Sequence, residues 1–306
     1  METIDILLAT HNGEAYLEEQ IKSILSQTHK NWNLIIHDDN SNDKTKEILK
    51  TYTSKYPEKI TFIDDGVKNG GAKENFSHLL NFSKSEYIMF CDQDDIWLPN
   101  KIKNAYTRLK HLENSFGSQT PLIAYSDLTV VDENLITLEK SFHRILFKIN
   151  EPKINQLLVQ NVSPGCSMIF NKALLKKAYP IPKEAIMHDW WFILIASVFG
   201  QISFIETQDI LYRQHSKNTV GFSNLSIAHI LDKISKSDKI KISIDKTIVQ
   251  AASLLVKVPP NHKELKIIDE YSKINKKNKF KRCATLLNNK IKKQRFVQTL
   301  GLYIFI

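Results

Sequence analysis

Asp92, Asp94 and Asp95 fall within four residues, directly after the apolar run Tyr87–Cys91. Carboxylates packed this densely repel one another unless a cation holds them together. Hard dications such as Mn²⁺ and Mg²⁺ prefer oxygen ligands and bridge to substrate phosphates, with only one or two protein carboxylates in their shell. A nucleoside diphosphate is the natural partner of such a cluster. The bland alternative is that these aspartates cap the helix whose apolar face includes Ile102, and residue types alone leave both readings open. Two more polar clusters follow apolar runs: Thr10-His11-Asn12-Gly13 after Ile4–Ala9, and Asp38-Asp39-Asn40-Ser41-Asn42-Asp43 after Leu34–His37. Asp189 offers a different chemistry. A lone carboxylate beside Trp190 and Trp191 gains proton affinity by desolvation and suits a general base, although it also suits an N-cap for the helical run to Phe199. Adjacent tryptophans are more often core than sugar-stacking platforms. His11, His37 and His188 have weaker claims, and no Ser-His-Asp or Cys-His pair supplies a nucleophile.

These residues need a scaffold that gathers them. Strand-like runs at Ile4–Ala9, Leu34–His37, Ile60–Ile63, Tyr87–Cys91 and Leu122–Tyr125 alternate with helical patterns, which predicts βαβ units and a mostly parallel sheet. Ligands of open α/β sheets sit outside the carboxyl ends of the strands, so all three polar clusters fall at one edge. Ala15, Leu17, Ile21, Ile24 and Leu25 repeat at helical spacing, with Asn12 as the expected N-cap. Further helices are read at Ile48, Leu49 and Tyr52, at Phe76, Leu79 and Leu80, and at Ile102, Ala105, Leu109 and Leu112. The later pattern is mixed, with strands at Ser167–Phe170, Ile202–Glu206 and Ile210–Arg213 and a helix from Asp189 to Phe199. From Phe222 the chain turns Lys-rich and helical, so the division expected is 1–221 and a basic helical appendage, 222–306.

The 306 residues are 42% hydrophobic and 25% charged, enough for a full core. Net charge is +9, but residues 222–306 carry 18 Lys and Arg against 6 Asp and Glu, an excess of 12, which leaves residues 1–221 at −3. A nucleic-acid-binding reading of the charge therefore fails at the site end, which is acidic and lacks an aromatic-interleaved basic platform. Cys91, Cys166 and Cys283 are too dispersed for a disulfide framework or a Cys-x-x-Cys metal site, which suits a reducing cytosol. No apolar stretch approaches the ~20 residues of a membrane span and no signal-peptide pattern opens the chain, so a cytoplasmic protein is expected.

Ala9-Thr10-His11-Asn12-Gly13, Gln27-Thr28, Asp38-Asp39-Asn40-Ser41-Asn42-Asp43-Lys44-Thr45 and Asp92-Gln93-Asp94-Asp95-Ile96-Trp97-Leu98-Pro99 together resemble the inverting family-two glycosyltransferases of GT-A fold. The likeness continues through Asn69-Gly70-Gly71, Pro164-Gly165-Cys166-Ser167, His188-Asp189-Trp190-Trp191 and Tyr212-Arg213-Gln214-His215, and covers about the first 220 residues. It implies a nucleotide-diphospho-sugar transferase fold, Rossmann-like, with a mixed sheet flanked by helices. Carried over residue by residue, it implies that Asp39 accepts a hydrogen bond from a pyrimidine ring in a pocket lined by Thr10 and Asn12. Asp92 reaches the ribose side, Asp94 ligates the metal, and His215 is a candidate third metal ligand or diphosphate contact. Gln93 sits within the donor-binding loop, Asp95 supports it or approaches the sugar, and Asp189 is the general base. Lys73 and Arg213 are candidate phosphate contacts, and Trp190 and Trp191 candidate walls of the acceptor and sugar pocket. Asn40 and Gln93 depart from the more frequent glycine and small residue, without removing a carboxylate.

The Asp-Gln-Asp-Asp-Ile-Trp and His-Asp-Trp-Trp versions are similar to those of bacterial rhamnosyltransferases of surface polysaccharide assembly. This resemblance implies dTDP-L-rhamnose as donor first, then UDP-galactose, UDP-glucose or a UDP-N-acetylhexosamine, with a glycan or lipid-linked glycan as acceptor and Mn²⁺ or Mg²⁺ as cofactor. The basic tail and its apolar end, Leu300–Ile306, suggest peripheral contact with anionic lipid at the inner face of the plasma membrane. A sugar nucleotidyltransferase is the rival within the fold, but that class opens with a Gly-rich phosphate loop that Thr10-His11-Asn12-Gly13 lacks.

Overall fold

The computed structural model describes residues 2–146, 152–215 and 237–306. Strands β1 (Ile4–Thr10), β2 (Trp32–Asp38), β3 (Ile60–Ile63) and β4 (Tyr87–Cys91) run parallel, joined by α1 (Leu17–Leu25), α2 (Thr45–Lys55) and α3 (Ala72–Leu79). After β4 come the two-residue β5 (Ile96–Trp97), α4 (Lys101–Phe116), β6 (Leu122–Val131) and β7 (Thr137–Glu139). Short helices α5 (Phe142–Leu146) and α6 (Ile154–Leu157) precede β8 (Met168–Asn171), α7 (Lys172–Ala178), α8 (His188–Phe199) and β9 (Gln201–Arg213). Among the described residues the strands form one sheet in the order β3-β2-β1-β4-β8-β6-β9-β5, with β7 added to β6. Only β5, β7 and β8 run against the rest.

Alternation along the central strands sends apolar side chains to both faces, as expected of a sheet covered twice. Ile4, Ile6, Leu8, Met89, Cys91 and Leu34 enter the layer beneath α1, α2 and α4, while Leu7, Ile88, Phe90 and Ile35 enter the layer beneath α3 and α8. Helix α8 is apolar all round, with Trp191 through Ala196 fully buried, so it must be covered on its outer side too. Four C-terminal helices contribute to that same apolar cluster: α9 (Ser237–Lys257), α10 (Leu265–Ser272), α11 (Lys279–Asn288) and α12 (Phe296–Phe305). Ile244, Ile248, Leu254, Ile268, Tyr271, Leu286 and Leu302 all belong to it. Polar ties reinforce the contact, because the Ile186 amide donates to Gln250 Oε1 at 2.8 Å and Asn155 Nδ2 to the Lys290 carbonyl at 2.8 Å. The expected division at 221/222 lies outside the described residues.

Two local expectations change. Asn12 is not the cap of α1: it stands in the left-handed region at φ 48°, Tyr16 precedes the helix, and Asn12 Oδ1 instead accepts the Asn42 amide at 2.9 Å. The two strands expected at 202–206 and 210–213 are one, β9, which crosses its polar middle by shifting register against β6 near Asp127.

Candidate active site

The carboxyl ends of β1, β2 and β4 meet at the point where neighbouring connections leave β1 in opposite directions, the usual crevice of an open α/β sheet. Here the loops are tied to one another before any ligand arrives. Thr10 Oγ1 donates to Asp38 Oδ1 at 3.0 Å, and the Asp39 amide donates to the Thr10 carbonyl at 2.8 Å. Gln93 bridges back to the first loop in both directions, its Oε1 accepting the His11 amide at 2.9 Å and its Nε2 donating to the His11 carbonyl at 3.0 Å. A Cβ on Gly13 would stand 2.3 Å from Gln93 Oε1, so a glycine there leaves room for the amide that sequence reasoning had placed at the donor. Asp39 collects the amides of Asn69, Gly70 and Gly71 at 2.6–3.1 Å, which folds the 69–71 turn over the end of β2.

The acidic cluster is divided by depth. Asp94 lies toward the surface and pairs with His215, Nε2 to Oδ2 2.8 Å, uniting two residues that the sequence separates widely. Tyr16 backs this pair, its ring 4.8 Å from the His215 ring and 4.5 Å from the Arg213 guanidinium. Asp95 is fully buried, accepts the Arg213 amide at 3.2 Å on one oxygen, and leaves Oδ2 without a partner among the described residues. Burial, then the charges of Asp94 and Asp92, push the Asp95 carboxyl well above the usual carboxylate range. Burial also raises Asp92, to about 7, with Asp94 and Asp189 adding to the effect. One ligand atom each from Asp92, Asp95 and Cys166 lies within 4.8 Å of the others. Carboxylates so reluctant to ionise together, one with an orphaned oxygen, fit a dication, and the Asp94–His215 pair lies nearer the surface.

The 3₁₀ turn Gly165–Ser167 links this cluster to the expected base. The Cys166 thiol lies beside the Asp92 and Asp95 carboxyls, and the Gly165 amide stabilises the Asp189 carboxylate. Asp189 sits in the first turn of α8 after Met187, so it is a helical residue and not the cap itself. Burial raises it to about 6 despite the hydrogen bonds from the Trp190 amide, Asn161 and Gly165. A buried carboxylate that exchanges its proton near neutral pH suits a general base.

Three expected contacts take other roles. Trp191 is fully buried with Nε1 donating to the Ala178 carbonyl at 2.8 Å, so it packs the core and cannot wall a sugar pocket. Trp190, partly exposed, donates from its Nε1 to the Leu157 carbonyl at 2.7 Å. Lys73 Nζ donates to the Lys183 and Ala185 carbonyls at 2.8 and 3.0 Å and pairs with Glu74, which binds it to the loop before α8 rather than to a phosphate. Arg213, 3% exposed, donates to the Asp94 and Glu133 carbonyls and pairs with Glu19, so it holds the acidic loop in place.

Lys101 was missed by sequence reasoning. It lies fully buried beneath the cluster, donates to the Ser167 carbonyl at 3.0 Å, faces the Trp97 ring at 5.6 Å, and is lowered by burial to about 8. A signal existed: a cation in the first turn of a helix opposes the helix dipole and calls for another reason to be there. His188 is likewise buried, between Phe76 and Phe90, and burial lowers it to about 3, so it is a neutral ring.

The profile of glycosyl transferase family 2 matches residues 5–176. The chain is 32% identical over 231 residues to a dTDP-rhamnosyl transferase, RfbG of Shigella flexneri, covering 72% of this chain and 75% of that one. Among solved structures it is similar to S. aureus TarS in complex with UDP-GlcNAc, with TM-score 0.59, 16% identity, and 94% and 79% of the two chains covered. It is also similar to the mannosyltransferase PcManGT from Pyrobaculum calidifontis in complex with GDP-Man and Mn²⁺, with TM-score 0.55, 14% identity, and 98% and 78% covered. These two likenesses identify the GT-A glycosyltransferase fold.

Proposed function

The chain belongs to glycosyl transferase family 2, and from that membership we propose that it moves a sugar from a pyrimidine nucleoside diphosphate to a glycan or lipid-linked glycan hydroxyl, inverting the sugar C1, in bacterial surface polysaccharide synthesis. The observation that carries the reaction type is Asp189, a carboxylate raised to about 6, near enough to Asp92 for their charges to oppose each other. Asp189 takes the proton of the acceptor hydroxyl as that oxygen forms its bond to C1. The C1–oxygen bond to the diphosphate breaks on the opposite side, the electron pair leaves with the nucleoside diphosphate, and a single displacement inverts the carbon. A dication, Mn²⁺ or Mg²⁺, held by Asp92, Asp94 and His215, supplies charge neutralisation for that leaving group when bound. Thr10, Asn12 and Asp39 form the nucleotide side, Gln93 braces the loop above them, and Asp95 with Arg213 supports the acidic loop from below.

The donor order, dTDP-L-rhamnose and then a UDP-hexose, rests on likeness to the Shigella flexneri dTDP-rhamnosyl transferase. Contact with anionic lipid at the inner face of the plasma membrane draws on the C-terminal surface, where Phe280, Phe296, Leu300 and Ile304 are exposed among lysines. Among the described residues no helix is long and apolar enough to cross a membrane.

A thermal-shift panel of UDP, dTDP, GDP and ADP, each with and without Mn²⁺, tests this reading, because a ligand that binds the native state raises its apparent stability. A Mn²⁺-dependent rise with dTDP or UDP and none with GDP or ADP is the expected result. Silence with all four nucleotides would remove the nucleotide-sugar assignment.

A further inference from the structure

Beside β2, away from the acidic loop, three ligand-type side chains from three elements converge. His37 comes from the end of β2, Asp65 from the loop after β3, and His78 from the last turn of α3. His37 Nε2 lies 3.3 Å from Asp65 Oδ1 and His78 Nε2 lies 2.8 Å from Asp65 Oδ2, with one ligand atom of each residue within 4.8 Å of the others. The His37 side chain is 1% exposed, whereas those of His78 and Asp65 are 20% and 33% exposed, so the group is anchored inside and open on one side.

The hydrogen-bond polarity of this group is unusual. Asn75, one turn before His78 on α3, turns its Nδ2 toward the carbonyls of Thr10 and His37, at 3.4 and 3.3 Å, and so presents Oδ1 to His37 Nδ1 at 2.7 Å, much nearer than the Asn69 Nδ2 at 3.4 Å from the same nitrogen. An acceptor at that distance places the ring proton on Nδ1. The Nε2 lone pair of a neutral His37 then faces Asp65 Oδ1, so that two acceptors oppose each other at the inner end of the group. A positive centre between them resolves the conflict. A ring nitrogen that donates to an amide or carbonyl oxygen while the other nitrogen ligates is also the usual outer shell of a metal-bound histidine.

We propose that His37, Asp65 and His78 bind a zinc-type dication at a site distinct from the acidic cluster. Two imidazoles and one carboxylate form an N/O set suited to Zn²⁺ rather than to the all-oxygen preference of Mg²⁺. Metal–ligand bonds of about 2.0–2.1 Å in a tetrahedron separate the ligand atoms by roughly 3.3–3.4 Å, close to the His37–Asp65 spacing found here. Water completes the shell on the exposed side. The ion ties the 64–71 segment to β2 and α3. Asp65 is near one end of that segment, and the amides at its other end, Asn69 to Gly71, are held by Asp39. Zn²⁺ thereby stiffens the loop bordering the proposed nucleotide pocket. The metal site itself does not depend on the donor assignment.

The test is Co²⁺ titration of the full-length protein after chelation and dialysis, followed by visible absorption. A single equivalent should give the d–d band of a tetrahedral N/O site, and Zn²⁺ should abolish it. The band should disappear in His78→Ala and His37→Gln and persist in Asp94→Ala, which disrupts the other cluster. Asn75→Leu should weaken Zn²⁺ binding by roughly 10–100-fold. His78 is partly exposed, so His78→Ala keeps the test sound if His37→Gln fails to fold. Absence of the band in the wild type, its survival in folded His78→Ala, or its loss in Asp94→Ala would each overturn the site and leave the triad as a plain ion pair.

Discussion

Asp189 and Asp92 are raised to about 6 and about 7, and both shifts lead with burial. A general base works deprotonated, so turnover should fall about tenfold per pH unit below about 6, and a flat profile down to pH 5 would exclude Asp189 as the base. Asp189→Asn should lower kcat by about 10²–10⁴-fold while donor binding, followed by calorimetry, stays intact. Asp92 makes a different prediction, about stability. Its folded-state value lies above its ordinary 3.8, so the native state holds the proton longer than the unfolded chain, and the penalty for ionising it is absent below about 3.8 and complete above about 7. Without divalent metal, Asp92→Asn should therefore raise Tm at pH 8, with the gain fading as pH falls toward 4. Added Mn²⁺ should reverse the order by stabilising only the wild type, and a variant less stable than wild type in metal-free buffer at pH 8 would contradict this account. The types and spacing of these aspartates were legible along the chain, but their proton affinities were not, because desolvation depends on what covers them.

Among the elements, β9 does the most to assemble the site. Its last residue, Arg213, fastens Asp94, Glu133 and Glu19 at once, and its Ile210 and Leu211 pair with the two residues of β5 that follow the acidic cluster. Arg213→Lys keeps the charge but loses the planar fork, leaving buried carbonyls without donors; a loss of about 1–3 kcal/mol by denaturant titration, with weaker Mn²⁺-dependent nucleotide binding, is expected. The entry to β9 is equally constrained. A Cβ on Gly200 would stand 1.7 Å from the Pro121 carbonyl oxygen, so Gly200→Ala must shift backbone and should cost about 1–3 kcal/mol or more. Apolar runs announced β1, β3 and β4 almost residue by residue. Strand β6 extends to Val131, beyond the expected Tyr125, because Ser126 and Asp127 break the apolar pattern while their backbone stays paired. Strand β5, two residues long, has no pattern of its own and exists only through its partner.

The whole molecule joins a sheet layer and a C-terminal helical layer through one apolar cluster. Helix α8 is apolar on every side, so removing residues 237–306 should uncover it, lower Tm sharply and reduce soluble yield; an unchanged melting profile would mean that the C-terminal helices cover nothing. The outer surface of the same helices offers the membrane test. Phe296→Asp with Leu300→Asp should abolish retention on anionic vesicles at low salt, whereas retention equal to wild type would remove the membrane reading. The charge split at residue 222 already separated a basic tail from an acidic site end. That the tail also closes the core was hidden, because a Lys-rich helix and a core-covering helix share the same periodicity.

Local order determined the chemistry on offer, since strand runs, turn residues and the carboxylate motifs are all short-range patterns, and together they sufficed for the family and the fold. Tertiary structure decided which groups are committed elsewhere. Lys73 holds the 183–185 loop, Arg213 the acidic loop, and Trp191 the core. Their partners lie from 13 to more than a hundred residues away, and Asp94 and His215 are 121 apart, so spacing along the chain carries no trace of them. Burial acts the same way: Lys101, Asp95 and His37 acquire their character from what the fold packs around them, which no window of neighbouring residues contains.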